Sequence, residues 1–162
     1  MAKHPAPFTA LLETLVERFP VYGVIRNPLA ILSSWQTVPF PVSRGHVTAV
    51  AERLDPKLGT SLAGIEDRLD RLFHLLDWFF DKYTRLLPEE RIVRYESMIA
   101  SRGAALSAIT ERAATLDEPL ESRNRAAVYD ADAMTKLGER LLESDGPYWR
   151  FYTKDDVRGL MS

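Results

Sequence analysis

The 162-residue chain contains no cysteine. Disulfides, thiolate metal sites and a cysteine nucleophile are therefore excluded. Histidine is scarce: His4, His46 and His74 are scattered and show no metal-ligand spacing. No apolar run approaches the length that spans a membrane, and no signal peptide is recognisable, so a cytoplasmic location without a membrane span is expected. Charge of one sign is lacking too. A formal net charge of −2 argues against a polyanion-binding surface, and so against a nucleic-acid polymer as partner, while leaving room for a local basic pocket. There is no internal repeat, no low-complexity segment and no isolated carboxylate pair suited to glycosidase or metal work. What remains, 46% hydrophobic and 27% charged residues, is the composition of one soluble globular domain with a sizeable core.

Apolar spacing predicts a helix over residues 7–19, with Pro7 near its start and Pro20 ending it. Residues 21–25 read as a buried strand and 28–36 as a helix. Between 37 and 61 the signal weakens under Pro39, Pro41, Gly45, Pro56 and Gly59, leaving room for a short helix near 46–54. The strongest helix is expected over 62–87, where Leu62, Leu69, Leu72, Leu76 and Phe80 recur at helical spacing until Pro88. A short strand at 91–95 follows, then a helix over 103–115. Residues 117–130 are polar and turn-rich, a helix is expected near 131–144, and 154–161 reads as a last turn or two. This order is an α/β fold: helix-rich, with a small parallel sheet. Two parallel strands alone are marginal, so a sheet partner is expected beyond these strands and the chain reads as part of a larger domain.

The chemistry concentrates at Val21-Tyr22-Gly23-Val24-Ile25-Arg26-Asn27-Pro28. An apolar, β-branched run stops at an arginine, Asn27 is placed to cap a helix, and Pro28 suits its first position. Backbone N–H groups, the positive end of a helix and a guanidinium converge at such a junction, which suits a phosphate. Arg26 is the candidate anchor at the strand's C-terminal end, where α/β folds place ligands. The alternative is a surface arginine in a salt bridge. Ser34 lies eight residues on, about two helical turns later, and its hydroxyl can donate to an anion; simple solvent exposure is its alternative.

Tyr95 closes the second strand at the same sheet edge. It reads either as a face or hydroxyl for a nucleobase or as a half-buried edge tyrosine. His4, before Pro5, has the chemistry of a general base, although a histidine so near a terminus is more often frayed. Arg123 and Arg125 flank Asn124 in the polar loop near Tyr129. They read either as a solvated turn or as a second phosphate clamp closing over a ligand. Trp78, Phe79 and Phe80 read as core, and His74 as structural or solvated.

Together these residues resemble the PAPS-dependent sulfotransferase family, bacterial type. Arg26-Asn27-Pro28 with Ser34 is similar to the family's strand, turn and serine that bind the 3′-phosphate. Arg94-Tyr95-Glu96-Ser97 is similar to its strand-end Tyr-Glu segment near the adenine. Lys3-His4-Pro5, twenty-two residues before Arg26, matches the separation of a catalytic histidine in many members, and the long helix precedes the Tyr-Glu strand as it does there. The resemblance spans most of residues 2–110. It implies a P-loop-NTPase-like sulfotransferase fold, incomplete at the N-terminus, with residues 1–162 forming the C-terminal two-thirds of one domain. It implies 3′-phosphoadenosine 5′-phosphosulfate (PAPS) as sulfuryl donor, no metal, and a small-molecule or carbohydrate acceptor attacking through a hydroxyl or amine. His4 would be the catalytic base, and Arg26, Ser34, Tyr95, Arg123 and Arg125 would bind the nucleotide.

One departure matters. The family's Gly/Ser/Thr-rich 5′-phosphosulfate loop, with its catalytic lysine, would lie upstream of Lys3. Leu58-Gly59-Thr60-Ser61 is short and has no strand before it, and Ser122-Arg123-Asn124-Arg125 only loosely matches the C-terminal Arg-Lys-Gly motif. Weak or absent turnover by this chain alone is therefore expected. Two other classes stay open: a non-catalytic nucleotide-binding or interaction domain that uses its apolar helix face in a homo-oligomer, and a kinase-like α/β enzyme. The lack of a Gly-x-x-x-x-Gly-Lys-Ser/Thr loop counts against the kinase.

Overall fold

Proline, glycine and short polar side chains set most of the helix boundaries. The computed structural model describes residues 5–161. The chain enters through α1 (Pro5–Ala10) and α2 (Leu12–Val16), two pieces where one helix over 7–19 is expected. Strand β1 (Gly23–Ile25) pairs in parallel with β2 (Ile92–Arg94), with Gly23 opposite Ile92 and Ile25 opposite Arg94. Both strands are shorter than the apolar runs that carry them. A Cβ on Gly23 would stand 3.0 Å from Ile92 Cδ1 and 3.1 Å from Leu87 Cδ1, so the glycine is what lets β1 approach this close.

Helix α3 (Pro28–Thr37) starts as its sequence demands: Asn27 Oδ1 accepts from Leu29 N–H at 3.0 Å, and Pro28 takes the first position. The weak stretch holds two helices. Thr48 caps α4 (Ala49–Leu54), and Asp55 caps α5 (Pro56–Ala63). Asp55-Pro56 is thus a cap followed by a first helical residue, not loop punctuation. Leu62 belongs to α5, and the long helix α6 (Arg68–Leu86) begins later than the expected 62 because Asp67 caps it. The turn between them is tied by Arg71, whose Nη1 donates to the carbonyls of Ile65 and Glu66 at 2.7 and 2.9 Å.

Tyr95 opens a helix, α7 (Tyr95–Ala100), instead of closing the strand. The helix expected over 103–115 is two 3-10 segments, Ala104–Ala108 and Glu111–Thr115, separated where Thr110 is extended (φ −151°, ψ 130°). Asp130 caps α8 (Ala131–Leu142), a 3-10 turn spans Pro147–Arg150, and α9 (Lys154–Met161) ends the described chain. The architecture is α/β and helix-rich, with a two-stranded parallel sheet among the described residues. None of the described helices is long and apolar enough to cross a membrane.

Helix α6 joins two cores. Leu72, Leu76 and Phe80 pack with Leu29, Leu32, Leu141 and Tyr148 against the sheet. Leu75 packs with Val47, Ala51, Leu58 and Leu62 on the α4–α5 side. Phe80 and Tyr148 meet edge to face, with centroids 5.8 Å apart, in the middle of the larger core. Phe79, expected in the core, and Trp78 are each only partly buried.

Asp77 is the anomaly of α6. Its Oδ1 is buried and accepts no hydrogen bond from any described residue. Burial pushes its carboxyl from the ordinary 3.8 up to about 6. The folded chain therefore holds this proton more tightly than the unfolded chain. Stability from this group is fully present below about pH 4 and is lost as pH rises through about 6. Asp77→Asn is expected to remove that slope and to raise stability at pH 7 by ~1 kcal/mol, after allowance for partial solvent screening. Urea denaturation of both proteins between pH 4.5 and 7 checks this, and equal slopes would contradict it.

Candidate functional site at the strand ends

The site is built where β1 and β2 end and α3 and α7 begin. Asn27, 2% exposed, is fixed on every side. Its Oδ1 caps α3, and its Nδ2 donates to the Asp156 carbonyl of α9 at 2.9 Å. Its backbone N–H, the group the sequence offers to an anion, donates to Glu96 Oε1 at 2.9 Å. The same oxygen accepts from Asn124 Nδ2 at 2.7 Å, and Oε2 accepts from the Tyr152 hydroxyl at 2.8 Å. A carboxylate from the first turn of α7 therefore fills the anion position at the α3 N-terminus.

A second layer supports it. Burial, and then the Glu96 charge, push the Tyr152 hydroxyl far above the ordinary tyrosine range, so it remains a donor. The Arg94 guanidinium lies 4.4 Å from the centre of the Tyr152 ring and bonds Asp156 Oδ1 at 3.3 Å. Burial works to raise the Asp156 carboxyl, but donation from the Thr153 N–H and hydroxyl, with the Arg94 charge, holds it below its ordinary value.

Arg26 occupies the outer part of the junction. Its Nε donates to Asn124 Oδ1 at 2.7 Å, and its Nη2 donates to the Arg123 carbonyl and, at 3.4 Å, to the Tyr129 hydroxyl. Its guanidinium carbon lies 5.2 Å from the centre of the Tyr95 ring. Nη1 donates to no described residue. The cation is thus held at one edge and one face, with the other edge left over. The Tyr95 hydroxyl accepts from Arg123 N–H at 2.9 Å and donates to the Glu121 carbonyl at 3.3 Å. Both the face and the hydroxyl expected to meet a base are engaged with the chain itself.

The remaining sequence candidates are distributed unevenly. Arg123 reaches the site through its backbone; its side chain is 73% exposed and pairs only loosely with Glu121, at 3.9 Å. Arg125 turns away and donates to the carbonyls of Gly159 and Leu160, at the C-terminal end of α9. Ser34 lies two turns into α3, half-buried, and its hydroxyl bonds to no described residue; nothing joins it to Arg26 by a hydrogen bond. Neighbouring Ser33 is buried and returns its hydroxyl to the Leu29 carbonyl at 2.9 Å. His4 lies outside the described residues. Leu58-Gly59-Thr60-Ser61 is a helical segment of α5, and its hydroxyls bond back to the carbonyls of Pro56 and Lys57. It is not a phosphate loop.

Glu96 and Asn124 are named by the sequence reading only within their segments, and the roles they play here are what it missed. A carboxylate in the first turn after a strand was the available signal for Glu96. Beside Arg26, a cavity of about 200 Å³ is walled by Val24, Ile31, Trp35, Phe79 and Tyr83, and Arg26 is the one charged residue among the described residues that line it. A larger cavity, about 990 Å³, lies elsewhere, along α6, α5 and the turn before Tyr148. Its lining sets Lys57, Lys82 and Arg85 against Glu13, Asp55, Asp77, Asp81 and Asp145, with Lys82 paired to Glu13 and Asp55 at 3.2 and 3.6 Å and Arg85 to Asp81 at 2.9 Å, so it offers an anion no surplus of positive charge. No protein-family model, curated protein or solved structure matches this chain.

If the Glu96 carboxylate joins the junction, Glu96→Ala should cost about 3 kcal/mol, since several donors lose a charged acceptor together. Denaturant titration measures the loss. A cost below about 1 kcal/mol would show that these donors find other partners.

Proposed function

We propose that this chain is a sulfotransferase-like domain that holds the 3′-phosphate of PAPS, or of its desulfated product, on Arg26. The observation that carries this reading is the state of that arginine. It stands at the C-terminal end of a parallel strand and beside the Tyr95 ring, its Nε and Nη2 meet only neutral oxygens of the chain, and Nη1 is unbonded among the described residues. Charge-assisted bonds from a guanidinium to phosphate oxygens are stronger than bonds to neutral oxygens, and no described carboxylate pairs with this one. The Arg26-Asn27-Pro28 and Tyr95-Glu96 spacings supply the nucleotide class by resemblance.

The reaction is in-line transfer. A base takes the proton of an acceptor hydroxyl or amine, the acceptor's oxygen or nitrogen forms a bond to sulfur, and the bond from sulfur to the bridging phosphate oxygen breaks. Resemblance gives the base role to His4. Arg26 anchors the nucleotide and takes no part in bond making. Positive groups around the leaving phosphate carry most of the electrostatic work in such a transfer, and removing one such donor costs roughly a hundredfold or more. No Gly-rich phosphate loop occurs among the described residues, so we expect nucleotide binding with little turnover.

A second reading has its own support. Glu96 already takes the Asn27 amide, which fits a domain that binds an adenine nucleotide weakly, or works by interaction alone. Calorimetry with adenosine 3′,5′-bisphosphate separates the two. On the first reading Arg26→Ala weakens binding by about 10- to 100-fold, as loss of a charged hydrogen-bond donor does. Equal preference for ATP would move the chain to the kinase-like class. Absence of heat, with concentration-dependent association, would favour the interaction domain.

A further inference from the structure

We infer that residues 121–129 form an internal strap that occupies the Arg26 anion site in the unliganded chain, so that a phosphate-bearing ligand enters only when the strap lets go. This rests on the reading of Arg26 as an anion anchor and adds a regulatory step to it. The groups bonded to Arg26 are neutral oxygens of the strap: the Asn124 side-chain carbonyl at 2.7 Å, the Arg123 backbone carbonyl and the Tyr129 hydroxyl. They stand where phosphate oxygens would bind the same Nε and Nη2 edge. Asn124 is 5% exposed, whereas Glu121, Ser122, Arg123 and Arg125 around it are all exposed. It is a single polar plug on an otherwise solvated loop.

The plug is held by polar contacts. Asn124 Nδ2 donates to Glu96, and the Tyr95 hydroxyl clips the strap at Arg123 N–H and the Glu121 carbonyl. Asn124 takes no place in either apolar core and Val128 is 67% exposed; the strap's apolar contact is at its end, where Tyr129 packs against the larger core, and Arg125 adds bonds to the Gly159 and Leu160 carbonyls. A segment held by a few hydrogen bonds near water opens at low cost. A phosphate dianion bonds a guanidinium more strongly than a neutral amide does, so ligand and strap compete for one set of donors. Binding is then weakened by the closed fraction, and loosening the strap tightens it.

Trypsin reads the strap directly, because Arg123 stands in the clipped turn with 73% of its side chain exposed. The test compares the wild-type chain with Asn124→Ala, which removes the plug, and Tyr95→Phe, which removes the clip but keeps the ring under Arg26. Cleavage after Arg123 and calorimetry with adenosine 3′,5′-bisphosphate are measured on each. Both variants should be cut faster without ligand and should bind the nucleotide about five- to tenfold tighter. The nucleotide should speed cleavage of the wild-type chain. Slower cleavage with nucleotide would overturn the strap and show a loop that closes over its ligand. Unchanged or weaker binding by both variants, with the wild-type chain still binding, would overturn the strap alone. No heat from any of the three proteins would remove the anion anchor, and the strap's role with it.

Discussion

The carboxylate of Glu96 is the constraint on which this structure turns. It draws a backbone amide from the β1–α3 junction, a side-chain amide from the polar loop and a phenol from the C-terminal tail onto two oxygens. A carboxylate so placed loses hydration. The donors and the positive end of α3 replace what water supplied. Each donor belongs to a different part of the chain, so one acidic group fixes the relative positions of strand, loop and tail. Arg94 and Asp156 brace the same junction from behind.

This arrangement splits the anion chemistry of the strand ends. The amide at Asn27, the natural partner of a bound phosphate at a helix start, serves the protein's own carboxylate. The guanidinium of Arg26 is left as the positive group that an outside anion can approach, and even that group is shared with the polar loop. A ligand would therefore be gripped by a side chain and not by a cradle of backbone amides. Such a site suits anchoring and partial recognition more than stabilisation of a transferring group, which needs several donors aimed at developing charge. The apolar cavity against Val24, Trp35 and Phe79 lies next to this arginine and not next to the Glu96 network.

The legible parts of the sequence were the local ones. Asn27-Pro28 forecast the start of α3 because a cap and a first-position proline act within three residues of each other. The α/β order, the two strands and the reach of α6 to Pro88 follow from local periodicity and proline. The misreadings share a cause: a residue type has more than one local use. Asp55-Pro56 resembled a loop and served as a helix start. Leu62 continued a periodic pattern across a real break at Asp67. Tyr95 followed a strand-like run but fell on the first residue of a helix. The role of Glu96 was invisible for another reason: its partners lie 69, 28 and 56 residues away, and no window of sequence contains them. Arg26 was legible as a candidate, but its ties to Arg123, Asn124 and Tyr129 were not.

The bond from Asn27 Nδ2 to the Asp156 carbonyl links positions 129 residues apart. Synthesis on the ribosome runs from the first of these to the second. The strand-end junction cannot acquire its final geometry while residue 156 is still in the exit tunnel, even though β1, α3 and β2 have all emerged. Until then the buried side of Asn27 faces water, and the nascent chain carries an unfinished edge that a holding chaperone or a premature pairing partner can reach. The maturation of this site is therefore timed by translation of its far end.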